Sequence, residues 1–243
     1  MQKYPANTDF FLSQEDWLFG YQHFKLSHVN SNYVGVGMSV DFDNPVLVSG
    51  TEKAKWRLDI LYSKEMASFV TPLPEHSNQR IQVVKVSLEI PLIIINVYLP
   101  AYSLPQQDYD DYLNRLASIL TMYETEAALL VSGDFNRSLF RNNPGDRIFQ
   151  TFCHMTGLKP AIGTTQCPTY HTHNGSVIQI DYFLMHTVSC QTFLITEDDI
   201  KITYRVCKED AIISTHHPII FEVTLPENNA PQQKFPQWNV SLQ

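Results

Sequence analysis

Leu92-Ile93-Ile94-Ile95-Asn96-Val97-Tyr98-Leu99-Pro100 is continuously apolar as far as Asn96, the pattern of a strand buried on both faces rather than one. From Asp108 to Glu124, Tyr109, Tyr112, Leu113, Leu116, Ile119, Leu120 and Tyr123 recur at spacings of three and four. That spacing predicts a helix with a single apolar stripe. Asp108, Asp110 and Asp111 fall in its first turn, favourable against the positive end of the helix dipole. Ala127-Ala128-Leu129-Leu130-Val131 then reads as a second buried strand, leading into Gly133-Asp134-Phe135-Asn136.

Outside this strand-helix-strand unit the chain is mostly strand. Asp9 to Leu12 is a short apolar run that ends at Ser13-Gln14-Glu15. Tyr33 to Val40 alternates small and apolar residues, which suits a strand packed closely on its neighbours. Arg57–Tyr62 and Ile81–Leu88 alternate apolar with polar and are expected to be half-buried strands. Ile178–Met185 and Ile219–Leu225 complete the strands, and a second helix is expected from Asp146 to Gly157, a residue type that commonly ends helices. Many strands, few helices and one long strand-helix-strand unit point to an α/β protein with sheets packed face to face. The expected domain is 1–225, and 226–243, rich in Pro, Asn and Gln, reads as a linker or tail.

The 243 residues are 44% hydrophobic, enough for a sizeable core, and 25 acidic against 17 basic residues give a formal net charge of -8. That balance argues against a protein held to nucleic acid by a broad basic surface. It suits a carboxylate-lined site in which a bound cation supplies the positive charge. Cys153, Cys167, Cys190 and Cys207 lack zinc spacing and are expected to be reduced thiols. Met1-Gln2-Lys3-Tyr4-Pro5 has no apolar signal core, and Leu88–Leu99, interrupted by Glu89, Pro91 and Asn96, is too short to span a bilayer. A soluble protein with no membrane partner is expected.

Polar groups with chemical capacity stand at the ends of apolar strands, where a rigid scaffold presents them to solvent. Glu15 follows the first strand and also reads as a solvated acid. Tyr98 ends the run at Leu92 and also reads as core. Asp134 and Asn136 would share a side if their strand continued through them, and could then hold a water and a phosphate oxygen; an ordinary Gly-Asp turn is the alternative. Asp181 lies among β-formers, where a buried carboxylate needs a partner. Ser214-Thr215-His216-His217-Pro218 offers that partner, since an Asp holding a His in one tautomer is a general-base arrangement.

In this order, from about Asp9 to Leu225, these stretches resemble the endonuclease/exonuclease/phosphatase superfamily. The matches are Gln14-Glu15, Tyr98-Leu99-Pro100, Gly133-Asp134-Phe135-Asn136, Ile180-Asp181-Tyr182 and, imperfectly, Ser214 to Pro218. Gln14-Glu15-Asp16-Trp17-Leu18, Asn96 to Pro100, and Thr169-Tyr170 ahead of a short hairpin into Ile180 look most like the endonuclease domain of a non-LTR retrotransposon polyprotein. The inositol phosphatase branch carries a Trp-containing Asp-Arg motif where this chain has Gln179-Ile180-Asp181-Tyr182. The abasic-site repair branch carries Trp-Arg where this chain has Ile178-Gln179.

The resemblance implies a four-layer α/β sandwich, two packed mixed β-sheets flanked by helices, that cleaves phosphodiesters with Mg2+ or Mn2+ and nicks DNA. It implies that Glu15 binds the metal and that His216, oriented by Asp181, assists proton transfer or supports the phosphate. His-x-Pro spacing, with Pro218 fixing the register, selects His216 over His217. Asp134 and Asn136 would position the attacking water, Tyr98 would donate to the transition state, and Thr169 would touch a DNA phosphate. The implied setting is intracellular, nuclear for action on chromosomal DNA, and the segment Phe235–Asn239 resembles the start of a linker to a reverse transcriptase. Two departures stand out. The family's first strand and helix, with an Asn that supports the metal, precede Gln-Glu; here they are expected to be missing, leaving an unpaired sheet edge. Thr215 replaces an Asp beside the His, which predicts weaker metal binding and makes a catalytically impaired remnant the alternative reading, beside a phosphatase of the same superfamily.

Overall fold

A computed structural model of the protein describes residues 8–14, 31–38, 46–48, 51–53, 58–160, 166–172, 174–187, 189, 201–206, 215–217, 219–224 and 238–242. In chain order the elements are β1 (Phe10–Gln14), β2 (Tyr33–Met38), β3 (Val46–Val48), β4 (Thr51–Lys53), β5 (Leu58–Ser63), β6 (Val70–Pro72), β7 (Ile81–Val86) and β8 (Leu92–Tyr98). Helix α1 (Gln106–Tyr123), β9 (Ala128–Asp134), α2 (Pro144–Thr156), β10 (Leu158–Pro160), β11 (Tyr170–His171), β12 (Val177–Ile178) and β13 (Asp181–His186) follow. The chain then forms β14 (Lys201–Val206), β15 (Ile219–Thr224) and β16 (Trp238–Leu242).

The apolar runs at Leu92 and Ala127 become the central, parallel pair of one six-stranded sheet, ordered β10-β13-β9-β8-β7-β6. α1 makes the crossover that a parallel pair requires. Its stripe of Tyr109, Leu113, Leu116, Ile119 and Leu120 packs in one cluster with Ile93, Ile95, Val97, Leu129 and Val131. The alternate residues Ile94, Leu130 and Phe183 face the other way and join Phe10, Leu12, Ile60 and Tyr62 of the second sheet, ordered β14-β15-β16-β1-β5-β2. Both sheets mix parallel and antiparallel pairs. α2 begins at Asn143, whose side chain accepts from the Asp146 amide, takes Pro144 in its first turn, and is followed by Gly157 at φ +70°.

The structure is therefore the α/β sandwich that the sequence implies, with helices described against one of the two sheets. Strands at Ile81 and Arg57 were expected to expose one face. Instead Gln82 in β7 and Asp59 in β5 are buried; Gln82 lies opposite Asn96, on the side of its sheet that faces the second sheet. Gln82 meets that burial by donating from Nε2 to Val36 O at 2.6 Å, across the sandwich.

The expected gap at β1 is filled. β16 pairs parallel to β1, with Phe10 opposite Val240 and Leu12 opposite Leu242, and antiparallel to β15, with Val223 opposite Trp238. Within the segment 226–243, residues 238–242 are thus a strand inside the sheet rather than a linker or tail, and β1 has a neighbour on each side. The reason is the one that made a gap unfavourable: a bare strand edge leaves a row of backbone groups unpaired. Among the described residues no helix is long and apolar enough to cross a membrane.

Candidate active site

Register brings the candidate residues together. In the β8–β9 ladder Tyr98 lies opposite Asp134, and in the β9–β13 ladder Asp134 lies opposite Asp181. Residues directly opposite share a face, so Tyr98, Asp134 and Asp181 form a row across three adjacent strands. The residue two positions back along β8, Asn96, fixes which face this is. Its amide donates to Ser13 O at 3.0 Å and Asp59 O at 3.1 Å, both in the second sheet. The row therefore stands on the inter-sheet side, at the end of the sandwich. Gln14 Nε2 donates to Asn96 Oδ1 at 2.7 Å, which anchors the end of β1 at the same place. Glu15, the next residue in the chain, lies outside the described residues.

Asp134 and Asp181 are each only 4% exposed, and buried carboxylates need donors. Asp134 receives them from Asn136: the backbone amide donates to Oδ1 at 2.7 Å and Nδ2 to Oδ2 at 3.2 Å. Alternation along a continued strand is not what pairs them. β9 ends at Asp134, and Asn136 adopts φ +51°, a left-handed conformation that Asn tolerates better than most residues. Its Nδ2 also donates to Leu99 O at 2.9 Å, tying the Gly-Asp-Phe-Asn turn to the Tyr-Leu-Pro segment. Behind the turn, Phe135 stacks on Phe149 at 4.8 Å and donates its amide to Ile180 O.

Asp181 holds His216. The imidazole Nδ1 lies 3.1 and 3.2 Å from the two carboxylate oxygens, so Nδ1 carries the proton it donates and Nε2 is left as the basic nitrogen. Tyr170 packs on the His216 ring at 4.7 Å and pairs with it through an isolated β-bridge. Asp134, Asp181 and His216 each bring a ligand atom within 4.8 Å of the others. Two carboxylates in such a group are the donor chemistry that a hard divalent cation takes, with water and substrate oxygens completing its shell.

Thr169 is corrected. It is fully buried, and its hydroxyl accepts from the amides of Ile180 at 3.1 Å and Asp181 at 3.2 Å. A DNA phosphate cannot reach it. Its backbone also accepts from His217 N at 2.6 Å, so Thr169 sets both the strand that starts at Asp181 and the loop that carries His216. Thr215 is exposed, and its carbonyl accepts from His171 N.

Two residues escaped the sequence reading. Arg80, almost completely buried, donates from Nη1 to Tyr98 O at 2.9 Å and sits 5.0 Å from the Tyr98 ring. Arg137 is sandwiched between Tyr102 at 4.0 Å and Tyr109 at 4.3 Å, and donates to the carbonyls of Asn136 and Pro100. Neither has a local signature, because a single Arg beside a strand is ordinary. The aromatic company of Arg137 comes from 28 and 35 residues away in the chain.

Two mixed six-stranded sheets packed face to face, with Tyr, Asp, Asn and His gathered at one end, form the α/β sandwich that the resemblance implies. Among solved structures it is similar to the endonuclease domain of TRAS1, a telomere-specific non-LTR retrotransposon, at a TM-score of 0.61 and 16% identity, over 90% of this chain and 100% of that one. It is also similar to a humanized D. rerio TDP2 carrying 14 mutations, at a TM-score of 0.52 and 14% identity, over 86% of this chain and 80% of that one. At these identities the likeness is one of fold. No family model matches the chain, and no curated protein does.

Proposed function

We propose that this chain is a Mg2+-dependent phosphodiesterase that nicks DNA. The observation that supports the reading most directly is the row Tyr98–Asp134–Asp181 at the end of the sandwich, with His216 held by Asp181. Hydrolysis of a phosphodiester needs a water oriented for attack, an acid–base group and stabilisation of charge on the phosphoryl oxygens. Asp134, its carboxylate set by Asn136, orients the attacking water as the new P–O bond forms and the P–O bond to the departing oxygen breaks. His216 takes the water's proton at Nε2, while Asp181 keeps Nδ1 protonated and stabilises the imidazolium, and the departing oxygen takes a proton from solvent. Tyr98 donates its hydroxyl to a phosphoryl oxygen. Glu15, together with a carboxylate of this group, would hold Mg2+, which when bound polarises the phosphate and steadies the departing oxygen.

The test is plasmid nicking by the purified chain with and without Mg2+, beside Asp134→Ala. Relaxed circles that need Mg2+ and disappear in the variant support the proposal. A folded protein that does not nick, but gains nicking in Thr215→Asp, favours the second reading, a degenerate site on an intact scaffold. The exposed Thr215, where the resemblance implies an Asp, favours that reading. If neither protein cuts, the nuclease proposal fails. Action on chromosomal DNA would place the protein in the nucleus, and fusion to a reverse transcriptase would suit such an element.

A further inference from the structure

Alternation separates two pairs of side chains on the bridge between β11 and residues 215–217. Tyr170 and His216 face the site. On the opposite side, His171 and His217 turn towards each other, ring centroids 4.7 Å apart and nearly perpendicular. Their Nε2 atoms are 2.6 Å apart, so one proton lies between them, donated by one ring and accepted by the other. The proposed hydrolysis uses neither residue.

We propose that His171 and His217 form a second cation site, one that takes a borderline transition metal such as Zn2+, Ni2+ or Cu2+. Two imidazole nitrogens converging from different segments are a ligand pair for these ions and a poor one for Mg2+, which prefers oxygen. A tetrahedral ion with Zn–N bonds of about 2.0–2.1 Å sets its two nitrogens roughly 3.3 Å apart, so the rings must separate by less than 1 Å. His217 is buried and fixed by the hydrogen bond that its backbone N–H donates to Thr169 O. His171 is exposed and can turn about its side-chain bonds to make that adjustment. The ion takes the place of the shared proton, which passes by exchange with solvent to Nδ1 of the ring that donated it, so that both ligands stay neutral imidazoles, and water fills the remaining positions. Occupancy ties β11 to the segment that carries His216, on the face turned away from the candidate active site.

The test is Zn2+ titration of the full chain by calorimetry in millimolar Mg2+, in which any ion taken by Asp134, Asp181 and His216 is common to the two proteins compared. The comparison protein is His171→Gln, a change on an exposed side chain that leaves Asp134, Asp181 and His216 in place. The wild type is expected to bind one more Zn2+ equivalent than His171→Gln, or to bind it at least tenfold more tightly. Its melting temperature should rise with Zn2+ more than that of the variant. Equal stoichiometry, with affinity within twofold, would overturn the proposal and leave the pair as a hydrogen bond that staples the bridge. The readouts are binding and melting, so the result does not depend on whether the protein nicks DNA.

Discussion

Gly133→Ala should break both the fold's centre and its site. Gly133 stands in β9 at φ +140°, beside β8, and an added Cβ would lie 1.9 Å from Val97 O and 2.9 Å from Val97 N. Carbon and oxygen do not approach to 1.9 Å, so β8 and β9 would have to part by more than 1 Å at the point where Val97 faces Gly133. The contact is with backbone, and no rotamer change relieves it. Backbone strain at an unfavourable φ costs about 1–3 kcal/mol, and overpacking in a filled interior costs about 1–3 kcal/mol more. A loss of about 4 kcal/mol is expected, a large share of the roughly 5–15 kcal/mol that holds a domain together.

Urea unfolding followed by far-UV circular dichroism measures it, as a lower midpoint with an unchanged slope. Gly175→Ala is the control. Gly175 also has a positive φ, +82°, but a Cβ there meets nothing within 4 Å, so only the conformational cost of about 1–2 kcal/mol applies. If the two variants lose the same stability, the clash with Val97 is not what Gly133 avoids. A loss below about 1 kcal/mol in Gly133→Ala would refute the reasoning altogether.

Other residues make separable predictions. Thr169→Val keeps the shape but leaves the buried amides of Ile180 and Asp181 without their acceptor; a loss of about 2 kcal/mol is expected in urea unfolding, and an unchanged midpoint would contradict the assigned role. Burial holds the His186 imidazole below its ordinary pKa, and its Nδ1 accepts from Ser189 N at 3.2 Å, a bond that only the unprotonated nitrogen makes. As pH falls the unfolded chain therefore takes up this proton first. The contribution is complete above the unfolded pKa of about 6.5 and is lost as pH drops from there towards the folded value. His186→Gln should flatten the slope of stability between roughly pH 7 and 5, and an identical slope in both proteins would exclude His186 as the source. Burial pushes the Cys153 thiol far up, whereas Cys167 is only half-buried. Iodoacetamide should label Cys167 well before Cys153 in the native protein, read by peptide mass spectrometry, and equal rates would rule out the burial of Cys153.

The sequence was legible where one periodicity governed a whole element. The apolar run at Leu92 and the stripe from Tyr109 to Tyr123 needed no distant information, and both formed where expected. Alternation misled at Gln82, because a polar residue on a strand usually marks solvent, and here it marks a hydrogen bond to the facing sheet. Asp134, Asp181, His216 and Tyr98 were found as polar groups at strand ends, and their convergence is a matter of register that a linear pattern only suggests. Asn136 was singled out for alternation, but a left-handed turn is what joins it to Asp134. For Thr169 the resemblance implied a phosphate contact; its burial follows from the packing of Asp181 and the His216 loop around it. The pairing of β16 with β1 links the two ends of the chain, and no local signal carries it.

Register explains why so few residues hold the site together. A slip of one residue between β8 and β9, or between β9 and β13, would turn Tyr98, Asp134 or Asp181 to the helix side of the sheet. Two features oppose that slip. Gly133 allows β9 to approach β8 more closely than any residue with a Cβ could, and only in the register that sets it beside Val97. Asn96 crosses the sandwich to Ser13, Gln14 and Asp59, and a shift of β8 by one residue would bury that amide among the apolar side chains facing α1. One contact fixes strand against strand, and the other fixes sheet against sheet. The row at the strand ends and the end of β1 are therefore held at one edge by groups that take no part in the chemistry.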